Sequence, residues 1–293
     1  MSALRSGFVT LAGRPNVGKS ALLNRLVGTK VSIVSDKPQT TRREVRGILS
    51  VPAAGDRPEA QVVLVDTPGV HKPRTAMGER ANAAAAAALA EVDLACLVLD
   101  ATAPVGAGDR FVAARLPPGS LCVLNKVDRA SPATVAERLA AAAGLELAEY
   151  LPVSARTGEG TEALVEAIVT RLPEGPRWYP EGTVGDTGED TWVAELVREQ
   201  LLARLHQELP HSVATRVVDR DEPPGAPGPR VKVEILVERE SQKGIVIGRG
   251  GSVLRAVGSA ARAQLPPGTH LELVVRVERD WQRRPGVLDR LGL

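Results

Sequence analysis

The chain has 293 residues, 43% of them hydrophobic, and a formal net charge of +2 at pH 7. This length predicts about two domains of ~150 residues each, with enough apolar residues for a sizeable core. Its apolar runs are too short for a spanning helix of ~20 residues, and its first residues lack the apolar stretch of a signal peptide, so we expect neither feature. Cys96 and Cys122 both lie in apolar runs, which argues against a disulfide framework and favours a reducing cytoplasm.

Positive charge is concentrated at the C-terminal end. Residues 1–180 carry a net charge of +3, residues 181–229 a net charge of −6, and residues 230–293 a net charge of +5. An anionic partner is therefore expected on the last segment. Arginine outnumbers lysine by 30 to 7 and aromatic residues make up only 2% of the chain, which favours contact with a phosphate backbone over stacking of bases on aromatic rings.

Up to about residue 172, short apolar runs alternate with longer helical patterns. The predicted strands are 7–12, 45–51, 61–66, 94–100, 121–125 and 150–153. The predicted helices are 18–26, 75–91, 109–115, 134–143 and 161–171. This alternation predicts an α/β domain with a doubly wound sheet, in which ligands bind at the carboxyl ends of the strands.

A glycine-rich loop joins the first predicted strand to the first predicted helix, and it fits the pattern G-x-x-x-x-G-K-[ST]. Its residues are Gly13, Arg14, Pro15, Asn16, Val17, Gly18, Lys19 and Ser20. We expect its backbone N–H groups to surround a phosphate chain, Lys19 to reach the β- and γ-phosphates, and the Ser20 hydroxyl to ligate Mg²⁺. Asn16 is a candidate ligand for a monovalent cation such as K⁺ and equally a structural residue.

A second motif, Asp66-Thr67-Pro68-Gly69, closes the third predicted strand. Asp66 is expected to hold Mg²⁺ through water, and the Gly69 N–H to meet the γ-phosphate. The polar loop 35–42 must supply a hydroxyl that orders only around that phosphate, with Thr41 the first candidate and Thr40 the second. The predicted catalytic residues are Lys19, Thr41 and Gly69, and the predicted magnesium ligands are Ser20, Thr41 and Asp66.

The motif Asn125-Lys126-Val127-Asp128 is predicted to select the base. The Asp128 carboxylate would accept hydrogen bonds from the N1–H and N2–H₂ edge of guanine, whereas adenine would leave it unpaired. Asn125 would steady the loop and the N7 side, and the stem of Lys126 would pack on the ring. After the last predicted strand, Ser154-Ala155 would offer a backbone N–H to guanine O6. GTP is therefore the expected nucleotide.

Valine stands where Ras-like switches carry the glutamine that orients the attacking water. This residue is Val70, which follows Gly69 directly. We expect intrinsic hydrolysis to be slow or to need another means of positioning water, and we assign no general base.

Residues 175–190, rich in proline, glycine and acidic residues, are predicted to link a domain at 1–174 to a smaller domain at 191–293. The second domain is predicted to contain a helix at 192–209, strands at 212–218 and 231–238, a helix–turn–helix at 241–264 and a strand at 271–277. The element order is thus α-β-β-α-α-β. A loop at 220–230 with four prolines is expected to be exposed.

A G-x-x-G turn joins the two helices of 241–264, and such a turn lets a nucleic-acid backbone approach helix N-termini. Nearby basic residues would supply charge, and the apolar residues Ile245, Val246 and Ile247 are candidates to line a groove for bases. The predicted RNA-binding residues are Lys243, Ile245, Ile247, Gly248, Arg249, Gly250, Gly251 and Arg255. Trp281 is predicted to pack in the protein rather than to hold a base.

These motifs resemble the Era family of GTPases over nearly the whole chain, most closely in the strings 13–20, 38–42 (Pro-Gln-Thr-Thr-Arg) and 242–251. The α-β-β-α-α-β unit resembles a type-two KH domain. The resemblance implies a P-loop GTPase domain followed by a smaller α+β KH domain, with GTP or GDP and Mg²⁺ as ligands. It also implies binding to the 3′ region of small-subunit ribosomal RNA and a role in 30S subunit maturation. A cytoplasmic monomer that associates peripherally with the inner membrane fits the same family.

Two other interpretations remain to be separated from this one. The C-terminal unit could dock a protein partner instead of RNA. In that case, substitution of Arg249 and Lys243 by glutamate would leave RNA association unchanged. A P-loop ATPase or kinase is disfavoured by Asp128, and competition between ATP and GTP would decide that case.

Overall fold

The computed structural model describes residues 3–37, 40–68 and 75–293, and it divides into two compact units. The first comprises Met1–Ser32, Thr41–Arg74 and Gly78–Asp186, and the second comprises Ile33–Thr40, Thr75–Met77 and Thr187–Leu293. The predicted positions Gly69 and Val70 lie outside the described residues, as do positions 38 and 39 of the string 38–42.

Up to residue 186 the fold is a six-stranded sheet with helices on both faces. Its strands are β1 (Arg5–Ala12), β2 (Val45–Val51), β3 (Ala60–Asp66), β4 (Leu94–Asp100), β5 (Leu121–Asn125) and β6 (Glu149–Pro152). The helices are α1 (Lys19–Val27), α2 (Ala76–Ala90), α3 (Ala107–Ala113), α4 (Pro132–Ala143) and α5 (Thr161–Val169). The strand order is β2-β3-β1-β4-β5-β6, and every neighbouring pair is parallel except β2 and β3, which are antiparallel. The predicted doubly wound α/β class is confirmed.

The sheet carries an apolar core on each face. One core includes Leu22 of α1 and Ile168 of α5, and the other includes Val112 of α3 and Ala142 of α4. Every residue of β3 is buried, because this strand has a neighbour on either side and is covered on both faces. Such strands appear in the sequence as continuous apolar runs, which is why they were predictable.

Residues 175–186, predicted as part of a linker, lie in the first unit and are bonded to it. The fully buried side chain of Gln61 accepts the backbone N–H groups of Trp178 at 2.8 Å and Tyr179 at 3.0 Å. Its amide nitrogen donates to the Tyr179 carbonyl at 2.9 Å. The side chain of Gln61 thus pairs this segment as a neighbouring backbone strand would.

The second unit has a three-stranded sheet with helices. Its helices are α6 (Glu189–Leu202), α7 (Leu209–Ser212), α8 (Glu240–Ile247), α9 (Ser252–Arg262) and α10 (Pro285–Leu291). Its strands are β7 (Ala214–Asp221), β8 (Arg230–Val237) and β9 (His270–Val277), with β8 antiparallel to β7 and parallel to β9. The helix predicted at 192–209 ends at Leu202, and α10 was not predicted. No helix among the described residues is long and apolar enough to cross a membrane.

Trp281 is fully buried in a cluster that includes Leu288 of α10. Its indole N–H donates to the carbonyl of Ser212 at 2.9 Å. The predicted packing role is therefore confirmed, and the buried N–H has the partner that a buried indole requires.

Candidate functional site

The glycine-rich loop at 13–20 runs from the carboxyl end of β1 into α1. Gly18 has φ +98°, and a Cβ placed on it would lie 2.3 Å from Asn125 Nδ2, so this position needs glycine. Lys19 is buried, and its Nζ donates to the carbonyls of Gly13 and Arg14 at 3.1 Å each. Burial lowers the pKa of Lys19 and outweighs the opposing effect of the Asp66 carboxylate. The loop thus holds a buried cation where an anionic phosphate chain would relieve its desolvation.

Four oxygen-bearing side chains converge at the end of β3. Asp66 Oδ2 accepts hydrogen bonds from Ser20 Oγ at 2.6 Å, Thr41 Oγ1 at 3.2 Å and Ser32 Oγ at 3.3 Å. The hydroxyls of Ser20 and Thr41 are themselves 3.1 Å apart. The structure therefore brings together the three residues predicted as magnesium ligands, and it adds Ser32, which the sequence did not single out.

This cluster fits a magnesium ion. Asp66 is completely buried, and among the described residues its Oδ1 has no hydrogen-bond partner. Burial raises the pKa of Asp66, while Lys19 and the three hydroxyls oppose that rise. An unpaired buried carboxylate oxygen surrounded by hydroxyls offers the hard oxygen ligands that Mg²⁺ prefers, and the ion would offset the cost of burying this charge.

The two candidate threonines have different surroundings. Thr41 Oγ1 lies in the oxygen cluster, whereas Thr40 Oγ1 donates to the Lys37 carbonyl at 2.6 Å. Within the second unit, the Thr40 carbonyl accepts from the buried guanidinium of Arg198, and Glu199 Oε1 accepts the N–H of Val34 at 3.0 Å. The geometry favours Thr41 over Thr40 as the metal ligand.

Asn125 ties three loops of the first unit together. Its Nδ2 donates to the Val17 carbonyl at 3.0 Å, and its Oδ1 accepts the N–H groups of Lys126 at 2.8 Å and Ala155 at 3.0 Å. The side chain is only 1% exposed. Its predicted role of steadying the loop matches these contacts.

Lys126 connects the base loop to the glycine-rich loop. Its backbone has φ +67°, and its Nζ donates to the Asn16 carbonyl and to Asp100 Oδ2, both at 2.6 Å. Asn16 has φ +66°. The extended Lys126 side chain therefore spans from one loop to the other, as the predicted packing of its stem along a base requires.

The Asp128 carboxylate is held at both oxygens. Ser154 Oγ donates to Oδ1 at 2.6 Å, and Arg156 Nε donates to Oδ2 at 2.7 Å. These two hydrogen bonds, Ser154 first, lower the pKa of Asp128 and keep it ionised. The Ser154 hydroxyl thus orients the carboxylate, a role that its sequence position did not reveal.

The backbone N–H groups predicted to contact guanine O6 take part in hydrogen bonds within the first unit. The N–H of Ala155 donates to Asn125 Oδ1, and the N–H of Ser154 donates to the Glu159 carbonyl at 2.9 Å. Both groups are already used inside the protein. Their contact with guanine O6 stays a prediction.

Two further side chains support the site without belonging to a motif. Arg25 of α1 donates from Nε to the Ala155 carbonyl at 2.9 Å and from Nη2 to the Arg156 carbonyl. Asn24 Oδ1 accepts a hydrogen bond from the Ser32 N–H at 2.9 Å, and this bond places the Ser32 hydroxyl beside Asp66. The bonds of Arg25 span 130 and 131 residues, so no local pattern indicated them, and the bond of Asn24 spans 8 residues but belongs to no motif.

In the second unit, the glycine turn lies between α8 and α9. Gly248 has φ +75°, and a Cβ there would lie 2.6 Å from Val253 Cγ2. Gly250 and Gly251 also have positive φ, at +57° and +76°. The Gly250 carbonyl accepts from Arg255 Nη2 at 3.1 Å. The turn thus brings bare backbone to the surface next to the N-terminus of α9.

The side chains around this turn divide into two groups. Arg249 and Arg255 are exposed, and Ile245 is 58% exposed, as expected of a binding surface, whereas Lys243 and Ile247 are half-buried. Val246 is completely buried in the core of the unit, so its predicted place in an apolar groove is wrong. Successive residues of a helix point to different sides, and only one side of α8 faces solvent here.

Comparison with known proteins places this geometry in a family. A family model described as 50S ribosome-binding GTPase matches residues 8–126, and a KH domain model matches residues 208–282. GTPase Era of a Nocardioides species is 46% identical over 308 aligned residues, which cover 99% of this chain and 96% of that protein. The chain belongs to the Era family of GTPases. GTPase Era of a Mycobacterium species (strain JLS) is 45% identical over the full length of both proteins.

Solved Era structures share the complete architecture. A variant of Era from Aquifex aeolicus, bound to GDP and AlF₄⁻, superposes with a TM-score of 0.92 at 34% identity over 98% of this chain and 99% of that one. Era in complex with MgGDPNP and nucleotides 1506–1542 of 16S ribosomal RNA has the same TM-score and identity over 99% of each chain. The fold of a P-loop GTPase domain followed by a KH domain is therefore confirmed in both units.

Proposed function

We propose that this chain is a GTP-hydrolysing switch that binds the 3′ region of small-subunit ribosomal RNA and assists maturation of the 30S subunit. The observation that carries the proposal is that one chain combines the oxygen cluster around Asp66 and the base loop around Asp128 with a glycine turn of KH type. An Era protein of the same architecture binds a GTP analogue and a fragment of 16S ribosomal RNA together. That relative supports transfer of both ligands to this chain.

Guanine selection is assigned to Asp128. Its ionised carboxylate is an acceptor at both oxygens, and the N1–H and N2–H₂ edge of guanine offers two parallel donors. Adenine would place an acceptor against the carboxylate and would lose both of these hydrogen bonds, and a hydrogen bond to a charged group contributes about 1.5–3 kcal/mol. Asn125 contributes by fixing the loop, and Lys126 by lying along the base.

Phosphate binding and hydrolysis are assigned to the loop 13–20 and the oxygen cluster. Ser20, Thr41 and Asp66 would hold Mg²⁺, which when bound neutralises charge on the β- and γ-phosphate oxygens. Lys19 and the N–H groups of the loop stabilise the charge spread over the transferring phosphoryl group. Water would attack the γ-phosphorus in line with the leaving oxygen. Gly69 retains its predicted role at the γ-phosphate.

RNA binding is assigned to the turn 248–251 and the cationic residues beside it. Positive-φ glycines leave no side chain between the RNA backbone and the turn, and Arg249 and Arg255 supply charge. Lys243 adds charge, and Ile245 offers an exposed apolar surface for a base. Each phosphate contact contributes about 0.7 to the slope of log affinity against log salt for single-stranded RNA.

The RNA assignment is tested with the double variant Arg249→Glu and Lys243→Glu. We expect its affinity for a 16S 3′ fragment to fall and its salt dependence to flatten, while its GTP hydrolysis stays unchanged. Arg262→Glu, at the last turn of α9, carries one of the same charge changes away from the turn and serves as the control. Unchanged RNA affinity in the double variant would instead favour docking of a protein partner.

Four finer assignments complete the proposal. K⁺ is proposed as an activator near Asn16, which faster hydrolysis in KCl than in NaCl would show. A monomeric state is proposed and is measured by light scattering. A cytoplasmic location follows from the proposed RNA partner, and peripheral association with the inner membrane is tested by sedimentation with lipid vesicles.

A further inference from the structure

The guanidinium of Arg156 covers the carboxylate that is assigned to guanine. Arg156 Nε donates to Asp128 Oδ2 at 2.7 Å from the solvent side of the loop. The Asp128 side chain is only 6% exposed, whereas that of Arg156 is 73% exposed. The exposed Arg156 side chain thus already uses an acceptor position on the carboxylate to which guanine is assigned.

The chemistry of the contact resembles base recognition. A guanidinium is a planar group of N–H donors, and here its Nε donates to one carboxylate oxygen, Oδ2, while Ser154 holds the other. The N1–H and N2–H₂ edge of guanine presents donors in the same planar arrangement. We propose that Arg156 imitates the guanine edge and closes the base site of Asp128 until a nucleotide displaces it. This inference rests on the proposed assignment of Asp128 to guanine.

Displacement needs only a side chain to move. The backbone of the loop is fixed, because Arg25 donates to the carbonyls of Ala155 and Arg156 and Asn125 accepts the N–H of Ala155. The Ser154 hydroxyl also stays on Asp128 Oδ1, since a carboxylate has acceptor positions left for a base. In the closed form, Arg156 is bonded to Asp128. A nucleotide that binds must therefore break this one ion pair, but it need not rearrange the backbone of the loop.

The expected size of the effect follows from the exposure of Arg156. Ion pairs with one exposed partner shift an equilibrium by about two- to fivefold. A closed form lowers the apparent affinity by the fraction of molecules in which the site is open. Removal of the guanidinium should therefore strengthen guanine-nucleotide binding by that factor, which is the opposite of what loss of an ordinary ligand contact does.

The test compares the GDP affinity of the full-length Arg156→Ala variant with that of the full-length wild-type protein, measured by calorimetric titration. We expect the dissociation constant to fall about two- to fivefold at low ionic strength, and the difference to shrink at high salt, where such pairs are screened. Arg129→Ala is the matched control, because Arg129 is an exposed arginine next to Asp128 in the chain and its loss changes the net charge equally. Its GDP affinity should stay unchanged.

The variant Asp128→Asn separates failure of this inference from failure of the base assignment. The Asp128→Asn variant should prefer xanthosine diphosphate to GDP. Adding Arg156→Ala to this variant should give no further gain in nucleotide affinity. If the preference does not change, the assignment of Asp128 to guanine is wrong. If the preference changes as expected, any of three results overturns the role of Arg156. These are unchanged or weaker GDP binding in Arg156→Ala, an equal gain in GDP affinity in Arg129→Ala, or a gain in affinity from Arg156→Ala that persists in the Asp128→Asn variant.

Discussion

Replacement of Asn125 by alanine should damage stability and nucleotide binding together. The side chain is 1% exposed and makes three hydrogen bonds of 2.8–3.0 Å to the backbone of Val17, Lys126 and Ala155. Alanine removes these bonds and leaves one carbonyl and two N–H groups buried without a partner. At ~1 kcal/mol for each bond, Asn125→Ala should lower the free energy of unfolding by about 3 kcal/mol. GDP affinity should fall too, because the three partners belong to three loops of the nucleotide site.

Urea denaturation followed by circular dichroism measures the stability change, and calorimetric titration measures the affinity for GDP. Gln264→Ala serves as the control, because it removes a side-chain amide at an exposed position. Its free energy of unfolding should change by less than about 0.5 kcal/mol. Wild-type stability in Asn125→Ala would refute the reasoning, and normal GDP affinity in a destabilised variant would show that the bonds hold the fold but not the site.

Three more results are expected. Gly248→Ala places a Cβ 2.6 Å from Val253 Cγ2 at φ +75° and ψ 166°, a backbone conformation that is essentially confined to glycine, and should cost about 1–3 kcal/mol and weaken RNA binding. Gly244→Ala, with open space around its Cβ, should have neither effect. Ser20→Ala should raise the Mg²⁺ concentration needed for half-maximal nucleotide binding, and an unchanged Mg²⁺ titration would contradict its place among the ligands. Burial raises the pKa of both cysteine thiols to about 12, so the native protein should resist thiol reagents at pH 8 and react only when unfolded or as the pH approaches that value.

Much of the first unit was predictable because its strands are buried on both faces. The predicted limits 94–100 and 121–125 coincide with β4 and β5, since continuous apolar runs between polar turns mark such strands directly. The limits 45–51 coincide with β2 as well, although this edge strand carries Arg46 and Ser50 and is only partly buried. The antiparallel direction of β2 was not predictable. Residue pattern gives the burial of a strand, but its direction depends on the length and path of the connection before it.

The second unit shows what short patterns cannot reveal. Helix α10 spans only Pro285–Leu291, too few residues for a helical period to stand out from a turn. Its apolar residues gain their meaning from Trp281, whose burial depends on the sheet beneath. Residues 175–186 were hidden for a related reason. Proline and glycine indicate an irregular backbone, but they do not indicate that the buried Gln61 side chain bonds this backbone to the sheet.

In the nucleotide site too, some residues could be predicted from short patterns and others could not. Residues expected to face a ligand were found from motifs, because each motif packs its chemistry into a few consecutive positions. The partners that join the loops were not found from motifs. Asn125 was expected to steady its loop, but not to reach Val17 across 108 residues, and the bond of Arg25 to Ala155 across 130 residues was missed altogether. These contacts exist only after the sheet has aligned the loops at one edge. The spacing of the motifs is therefore constrained twice, by the shape of the nucleotide and by the bonds that hold the loops when no ligand does.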